Sequence, residues 1–345
     1  MSVYIFDPLE DFRWGTFVLR HPMASVFHTV GWVQALQRTY RYEPVVYTTS
    51  PPGEDLTDGI LLCRVCSRLT GRRMVSVPFA DHCEPLTSAG TERAELMAAL
   101  RDATAHTWRY VELRPRTAGA WNHPEFEQTA SFRLHTLDVR PPLDDLFRRC
   151  HRSTMQRKIR RAEREGLVYE EGCSTALLND FYRLLLLTRR RHRVPPQPIE
   201  WFANLIACLP DRAKIAVAKW KGGAIAAMLT ILHGPTLVYK YGCSDASLHH
   251  LGAVPWLFWK AIADAKARGA TSFDLGRSDL DNPGLITFKD RLGATSESLS
   301  YTRASIRYRR KQQSRWWAGV PAQILSRLPD RVFISAGRLF YPHAG

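Results

Sequence analysis

Apolar side chains recur every three or four residues at one place early in the chain, which predicts an amphipathic helix near 25–39. Those side chains are Val26, Val30, Val33, Leu36 and Tyr40. Shorter runs rich in apolar and β-branched residues follow, and they predict strands separated by turn residues. The other elements predicted in this half are strands at 44–49, 58–66 and 72–77, a helix at 91–107, and strands at 109–114 and 131–139.

The second half of the chain repeats this order of elements. Gly222-Gly223 and Gly234-Pro235 separate three successive apolar runs, which predicts an antiparallel meander. Pro255 suits the first turn of the next helix, and Gly269 suits the position just after its end. The elements predicted here are helices at 143–150, 153–165, 175–191 and 199–208, strands at 214–220, 224–232 and 236–242, a helix at 254–268, the strand TSFDLG, a helix at 284–291 and a strand at 297–306.

The repeated order predicts an α+β (α/β) fold with two similar lobes in tandem. Each lobe is expected to hold a mixed, mostly antiparallel sheet flanked by helices, and 345 residues suit two lobes of about 150 residues each. We place the boundary near Pro141-Pro142, which gives lobes at 1–141 and 142–306. Residues 307–345 form a basic, Trp-rich tail in which Pro321 and Pro329 prevent one long helix.

Positive charge is unevenly distributed along the chain. The net charge is +15, and basic residues cluster at 148–164, 188–193 and 307–315. Such an excess attracts acidic partners, namely phosphate groups, nucleic acid or an anionic membrane surface, and it does not choose among them. We therefore expect an anionic substrate.

The rest of the sequence bears on where the protein is located in the cell and on whether it binds a metal. No apolar run approaches the length of a membrane span, and acidic residues stand where a signal peptide needs an apolar core. We expect a cytoplasmic protein, with peripheral contact at the inner membrane face left open. Cys63 and Cys66 lie in a predicted strand, which points them to opposite faces, so no metal is expected.

Several segments of the chain resemble the FemAB-like family, which includes peptidoglycan peptidyltransferases and BioF2-like relatives associated with exopolysaccharide. The similarity covers nearly the whole chain to about residue 306, and the run FDLGRS followed by FK-x-x-x-G is its most specific part. The segments are FHTVGWVQALQRTY, VPFADHCEPL, MQRKIRRAEREG, TRRRHRVPPQP and FDLGRSDLDNPGLITFKDRLGA.

This resemblance implies two fused GNAT domains and an acyltransferase. The family transfers an amino acid from aminoacyl-tRNA, or another acyl group, onto an amine of a cell-envelope or exopolysaccharide precursor. The resemblance implies no permanently bound cofactor, and the donor is either aminoacyl-tRNA or acyl-CoA. The partners it implies are a nucleotide-linked or lipid-linked precursor and tRNA, and the oligomeric state stays open.

Two other functions remain open. One is an N-acetyl- or N-acyltransferase that uses CoA or a carrier protein. The other is a non-catalytic protein that binds nucleic acid or a membrane surface. Against CoA, the stretch SLHHLGAVPWLF contains only Gly252 where a GNAT domain has a glycine-rich loop to hold the pyrophosphate.

The resemblance places Phe288 and Lys289 on the family's FK pair, with Lys289 at the reacting centre and Phe288 contacting substrate. Attack of an amine on an ester or thioester puts negative charge on the carbonyl oxygen, and a fixed cation beside that oxygen lowers the barrier. The alternative for Lys289 is a surface lysine on the predicted helix.

Three polar residues follow the strand TSFDLG, at the carboxyl end where ligands gather in open α/β sheets. Arg277 is expected to bind a phosphate and Ser278 to contact substrate. Asp279, or Asp274 within the strand, is expected to accept the amine proton. The alternative for Asp274 is a buried hydrogen-bonding partner.

One further catalytic candidate and four further substrate contacts complete the predicted site. Asp81, in the loop VPFADHCEPL, is the catalytic candidate from the first lobe, and His82 beside it binds substrate or is structural. Tyr239 and Tyr241 are expected to face the site from one strand, with Lys240 on the opposite face by alternation. Arg191, in the basic run TRRRHR, is the remaining substrate-binding candidate.

Overall fold

The computed structural model describes residues 2–87, 90–117, 121, 124, 126–305 and 328–344. The chain divides into two compact units. Of the described residues, the first unit contains those up to Phe132, those at 298–305 and those at 336–344. The second unit contains Arg133–Glu297 and the described residues at 328–335. Of the tail predicted at 307–345, residues 307–327 and 345 lie outside the described residues.

Helices and strands alternate in both units. The elements up to the first division are β1 (Tyr4–Phe6), α1 (Phe12–Arg20), α2 (Val30–Tyr40), β2 (Glu43–Thr48), β3 (Ile60–Ser67), β4 (Gly71–Val75), α3 (Thr91–His106), β5 (Val111–Leu113) and β6 (Phe126–Asp138). Those that follow are α4 (Leu143–Arg149), α5 (Arg157–Arg164), β7 (Val168–Gly172), α6 (Thr175–Arg191), α7 (Ile199–Cys208), β8 (Ala213–Trp220), β9 (Gly223–His233), β10 (Thr236–Ser244), α8 (Ala253–Ala267), β11 (Ser272–Asp279), α9 (Pro283–Arg291), β12 (Thr295–Ala304) and α10 (Asp330–Phe340).

The first unit holds strands in the order β1-β2-β3-β4-β5-β12. β1 to β4 pair in the antiparallel direction, and β2, β3 and β4 correspond to the strands predicted at 44–49, 58–66 and 72–77. Helix α3 then connects β4 to β5, which pairs with β4 in the parallel direction. β12 pairs with β5 in the antiparallel direction. Apolar side chains of β2 to β5 and α3 form the core of this unit.

The second unit holds strands in the order β7-β8-β9-β10-β11-β6. β7 to β10 form the predicted antiparallel meander, and α8 crosses over to the parallel strand β11. The core packs α5 and α8 against the faces of β8 to β11. The α+β fold with mixed, mostly antiparallel sheets is therefore confirmed.

The two units repeat one strand topology, except that each takes its last strand from the other half of the sequence. β6 follows the first half along the chain and lies beside β11, whereas β12 ends the second half and pairs with β5. The division into units falls inside β6, between Phe132 and Arg133, a few residues before the boundary predicted near Pro141-Pro142. Local sequence patterns cannot reveal such an exchange, because strand pairing is a long-range contact.

Capping residues mark where the helices that border the cavity described below begin or end. The Ser174 side chain accepts a hydrogen bond from Leu177 N at the start of α6. Gly252, at φ 82°, precedes α8, and Gly269, at φ 78°, follows its end as predicted. At α9 the Asn282 side chain accepts from Leu285 N.

The hydrophobic pattern did not predict β1, α1, β7 or α10. β7 is mostly exposed, so it carries almost no apolar signal, and β1 is only three residues long. α10 begins directly after Pro329, consistent with the expected interruption of the tail there. Among the helices in the described ranges, none combines the length and apolar character needed to cross a bilayer.

Candidate active site

A cavity of about 940 Å³ lies within the second unit. It is bordered by the start of α5, the C-terminal turn of α6, the middle of β9 and β10, the start of α8, and α9. Five of the residues predicted from the sequence border it. They are Lys289, Phe288, Tyr239, Tyr241 and Arg191.

Lys289 is buried, with only 2% of its surface exposed. Its Nζ donates hydrogen bonds to the carbonyl oxygens of Gly276, at 2.8 Å, and Arg277, at 3.0 Å. Successive carbonyls of a regular strand point in opposite directions, so one ammonium could not reach both. The positive φ of Gly276, 72°, breaks that alternation. The surface-lysine alternative is therefore wrong, and the glycine in FDLGRS explains why.

A buried histidine lies beside the Lys289 segment. The Nε2 atom of His135, on β6, is 3.4 Å from Oδ1 of Asp290, and the ring is fully buried. Burial lowers the pKa of His135, and the charge of Lys289 lowers it further, against the opposing effect of Asp290. His135 is therefore neutral near pH 7 and adds no second positive charge next to Lys289.

Aromatic rings form one wall of the cavity. Phe288 packs edge-to-face on Phe258, with ring centroids 5.2 Å apart, and Phe258 in turn contacts Tyr239 at 4.8 Å. The Tyr241 hydroxyl accepts a hydrogen bond from Trp201 Nε1 at 2.9 Å, which fixes the direction of that side chain. This wall is apolar, and each ring is held by a neighbour.

A β-bulge changes the expected alternation on β10. The pairing of β10 with β9 shifts register between Tyr239 and Tyr241. Lys240 lines the same cavity as the tyrosines, and its Nζ lies 5.6 Å from the centre of the Tyr241 ring. The prediction that Lys240 faces away is thus wrong, because a bulge inserts an extra residue and re-aims side chains.

The cavity is strongly basic. No carboxylate occurs among the described residues that line it. Its cationic lining residues are Lys158, Arg189, Arg191, Lys240, Lys289 and Arg291, and His192 and His249 also border it. Such a lining favours an anionic ligand, because cations in a partly enclosed space concentrate the positive potential.

The other residues predicted near β11 lie outside the cavity lining. Ser278 is buried, and its Oγ has no hydrogen-bond partner among the described residues. Asp279 is exposed and Arg277 is half-buried. Asp274 is buried, and its Oδ1 accepts from Gly276 N at 2.7 Å, so it is the hydrogen-bonding partner that the alternative described.

Asp81 and His82 belong to the first unit. His82 is buried edge-to-face against Phe27, with ring centroids 5.3 Å apart. The Asp81 carbonyl accepts a hydrogen bond from the Tyr301 hydroxyl at 2.6 Å. Their predicted roles in substrate binding and proton transfer rest on the family resemblance.

The loop that carries Asp81 holds an unusual backbone. Val77, at φ 43°, and Phe79, at φ 62°, both occupy the left-handed region, which is costly for side chains of this size. Arg114 secures the loop, since its Nη1 donates to the carbonyls of Val77, at 3.1 Å, and Ala80, at 3.3 Å. Strain held in place by such contacts is typical of functional loops.

The other cations of the cavity were not predicted from the sequence as site residues. Lys158 and Arg189 lie in the basic clusters at 148–164 and 188–193, so the clusters signalled their chemistry and not their positions. His249 lies in the short 3-10 helix Ala246–Leu251 that precedes α8. Only the packing of α5, α6 and this short helix brings the three residues to one cavity.

The start of α8 is closely packed. A Cβ at Gly252 would overlap the carbonyl oxygen of Lys158, so the backbone of α5 lies directly against this turn. Pro255, in the first turn of α8, has no N–H to offer a phosphate. The glycine-rich cradle for a pyrophosphate is not formed by these residues.

Cys63 and Cys66 point to opposite faces of one strand. Cys63 is buried and Cys66 is exposed on β3, as alternation predicted, and burial raises the pKa of the Cys63 thiol. In the part of the chain that the structure describes, no three residues of the His, Cys, Asp and Glu types cluster as a metal site would need.

Residues 149–289 match the family described as Acetyltransferase (GNAT) domain. That stretch ends at Lys289 and contains every cavity-lining residue except Arg291. The chain is also 27% identical, over 286 residues, to the UDP-N-acetylmuramoylpentapeptide-lysine N(6)-alanyltransferase of Weissella viridescens. That match covers 71% of this chain and 77% of the relative.

Solved structures share the fold. The crystal structure of FemX superposes with a TM-score of 0.68 at 14% identity, covering 89% of this chain and 98% of that chain. A tandem GNAT protein from the clavulanic acid biosynthesis pathway superposes with a TM-score of 0.55 at 11% identity, covering 90% and 100%. At these identities the likeness extends to the fold alone.

Proposed function

We propose that this chain is a GNAT-related acyltransferase of the FemAB-like group, which transfers an aminoacyl group onto an amine of a cell-envelope or exopolysaccharide precursor. The name of the Weissella relative describes such a reaction, in which an alanyl group is transferred to the N6 amine of a lysine in a UDP-linked muramoyl pentapeptide. An amide bond is the product in both cases.

The observation that carries this proposal is a buried lysine bordering a cationic cavity. Lys289 is held by two backbone carbonyls, and the described lining residues include six cations and no carboxylate. Phosphate groups of a nucleotide-linked precursor or of tRNA match that lining, since guanidinium and ammonium groups form strong charge-assisted hydrogen bonds with them.

The chemistry requires charge stabilisation beside the cavity. The amine nitrogen attacks the carbonyl carbon of an ester, forms the C–N bond and leaves negative charge on the carbonyl oxygen. The C–O ester bond then breaks, and the leaving hydroxyl takes the proton that the amine loses. Lys289 is proposed to stabilise the oxyanion, a role typically worth about 3 kcal/mol of barrier. Asp81 and Asp279 remain the proposed acceptors of the amine proton.

We propose aminoacyl-tRNA as the donor. The packed start of α8, with Gly252 against the Lys158 carbonyl and with Pro255 in its first turn, disfavours a pyrophosphate held by helix N-terminal amides. The match to an acetyltransferase family supports the alternative, in which CoA or a carrier protein delivers the acyl group.

The proposed location is the cytoplasmic side of the cell envelope, where such precursors are made. The net charge of +15 supports peripheral contact with an anionic membrane surface when the precursor is lipid-linked.

A reconstituted transfer assay tests the function and separates the donors. The purified chain is incubated with UDP-N-acetylmuramoyl pentapeptide and either alanyl-tRNA or acetyl-CoA, and products are read by mass spectrometry. We expect an alanylated pentapeptide from alanyl-tRNA, formed about 100-fold more slowly, or more slowly still, by the Lys289→Met variant. An acetylated product alone would replace the proposed donor, and no transfer from either donor to this precursor or to a lipid-linked or amino-sugar acceptor would contradict the function.

A further inference from the structure

Three basic residues from three elements border the cavity on the side of the β10–α8 connection. Lys158 comes from α5, Arg191 is the last residue of α6, and His249 lies in the short 3-10 helix before α8. His249 and Arg191 are both exposed, so a ligand can reach them from solvent. No role follows for His249 or Lys158 from the acyl-transfer chemistry described above.

The cations of this group lack the partners that basic residues have elsewhere. Among the described residues, neither Lys158 nor Arg191 forms an ion pair with a carboxylate, and the buried Nε of Arg189 has no hydrogen-bond partner. Arg190, between the two cavity arginines, is by contrast paired with Asp330 at 2.5 Å. Unpaired cations placed together repel each other, which is unfavourable unless an anion joins them.

His249 is held in place through one ring nitrogen. Its Nε2 lies 2.7 Å from the Ser244 hydroxyl, and the Ser244 backbone is in turn bonded to the Thr188 hydroxyl on α6. Partial burial lowers the pKa of His249, and the charges of Arg191 and Lys158 lower it further. Asp245 acts in the opposite direction, but its carboxylate already accepts hydrogen bonds from Ser247.

We propose that His249, Lys158 and Arg191 form a phosphate-binding site, and that His249 takes up a proton when the phosphate binds. The proposal rests on the proposed function, because it assumes that the substrate in this cavity is anionic. The ligand class is a phosphodiester or diphosphate group, as found in a nucleotide-linked precursor, in the backbone of tRNA and in CoA.

The coupling follows from the charges that surround the imidazole. In the free protein, Arg191 and Lys158 disfavour the imidazolium form of His249. A bound phosphate cancels their effect and adds a negative charge beside the ring, which raises the pKa of His249 in the complex. Because the complex then holds more protons than the free protein, affinity must rise as pH falls through the window between the two pKa values.

Titration calorimetry on the intact chain measures this coupling. The probes are UDP-N-acetylglucosamine, dephospho-CoA and a synthetic 5′-hydroxyl RNA hairpin ending in CCA. Their phosphates carry no monoester group, which would itself titrate near pH 6 and mask the effect. Binding is measured in two buffers of different ionisation enthalpy, which gives the number of protons taken up. The probe that binds identifies the source of the phosphate.

We expect uptake of a fraction of one proton near pH 7 and a three- to tenfold gain in affinity from about pH 8 to about pH 6, because one proton gives at most about tenfold per pH unit. The His249→Gln variant keeps an amide for Ser244 and cannot titrate, so its proton uptake and pH dependence should disappear. His250→Gln, on the same short helix, is the matched control and should behave as wild type.

Proton uptake that persists in His249→Gln would overturn the assignment of the proton to His249. Binding of a probe without proton uptake in the wild-type protein would overturn the coupling. Failure of all three probes to bind would overturn the site itself, and the transfer assay described above would still decide the proposed function independently.

Discussion

The two units differ in where they place charged side chains. In the first unit, carboxylates are buried together with groups that satisfy them, whereas in the second unit cations border a cavity that contains no carboxylate among its described lining residues. A satisfied buried charge stabilises a particular packing, whereas cations gathered around one cavity repel each other until an anion joins them. The contrast separates polar residues that hold the fold from polar residues that we propose to bind a substrate.

Glu84 and Glu112 show the first pattern. The Glu84 carboxylate accepts from Arg116 N at 2.6 Å, Thr117 N at 3.0 Å and Trp121 Nε1 at 2.9 Å. Each of these donors belongs to the segment after β5, so the carboxylate fixes that segment. The Glu112 carboxylate is paired with two guanidinium groups, that of Arg114 just after β5 and that of Arg303 on β12.

The largest effect should come from Lys289→Met. If Lys289 stabilises charge that develops only in the transition state, kcat should fall about 100-fold or more while KM changes little. The free energy of unfolding should also fall, by about 1–3 kcal/mol, because the variant leaves the carbonyls of Gly276 and Arg277 without their donor. Steady-state kinetics and chemical denaturation measure the two effects.

Lys221→Met, at the exposed turn between β8 and β9, is the control and should change neither quantity. A Lys289→Met protein that loses stability but keeps full turnover would show that the lysine only holds β11, in which case the second unit would resemble the first.

Glu84→Ala should reduce stability and leave chemistry intact. The buried indole N–H of Trp121 and two partly buried backbone amides lose their acceptor, so the free energy of unfolding should fall by about 2–4 kcal/mol. The kcat and KM of the folded protein should stay within twofold of wild type, a factor equivalent to about 0.4 kcal/mol. Glu163→Ala, on the exposed face of α5, is the matched control. A selective loss of kcat in Glu84→Ala would place a catalytic role in the first unit.

Arg191→Ala should weaken binding of the anionic substrate. A hydrogen bond to a charged group contributes about 1.5–3 kcal/mol, so KM should rise roughly tenfold to a hundredfold with kcat nearly unchanged. The difference from wild type should shrink at high salt, since screening weakens charge interactions at the cavity. Arg164→Ala, exposed on α5, serves as the control. An unchanged KM would mean that the basic lining is not used by the substrate.

Acid should destabilise the first unit through Glu112. Burial alone would raise the pKa of Glu112, but Arg114 and Arg303 outweigh it, so the pKa lies below its ordinary value near 4.5. A carboxyl whose pKa is lowered by folding stabilises the protein at pH values above its ordinary pKa. This stabilisation is lost as the pH falls through the lowered pKa. Denaturation midpoints measured from neutral pH downward should fall in this window, and Glu112→Gln should lose this component. An identical acid profile in Glu112→Gln would assign the effect to other carboxyls.

The smallest effect should come from Asp330→Asn. Asp330 is exposed and pairs with Arg190, so the interaction is worth at most about 1 kcal/mol. Phe333, which is buried under the Arg190 guanidinium, should hold α10 in place without the ion pair. Thermal denaturation should show a shift of a few degrees or less. A large loss would mean that the ion pair, and not the aromatic contact, fixes α10.

Local patterns in the sequence determined most of the elements and the chemistry of the site. Helical spacing predicted α2 and the turn signals predicted the meander of β8 to β10, because both depend on residues within one element or its turns. The run from FDLGRS to FK placed Lys289 on a helix after β11. The basic clusters predicted an anionic ligand, since charge is a property of composition.

Only the tertiary structure decided which residues meet. The exchange of β6 and β12, the burial of Lys289 through the positive φ of Gly276, and the bulge that turns Lys240 into the cavity all depend on strand pairing. Lys158 and His249 are each separated from Arg191 by tens of residues in the sequence, and no periodic pattern connects the three positions. A sequence pattern reports contacts within an element, whereas a site is made where distant elements pack.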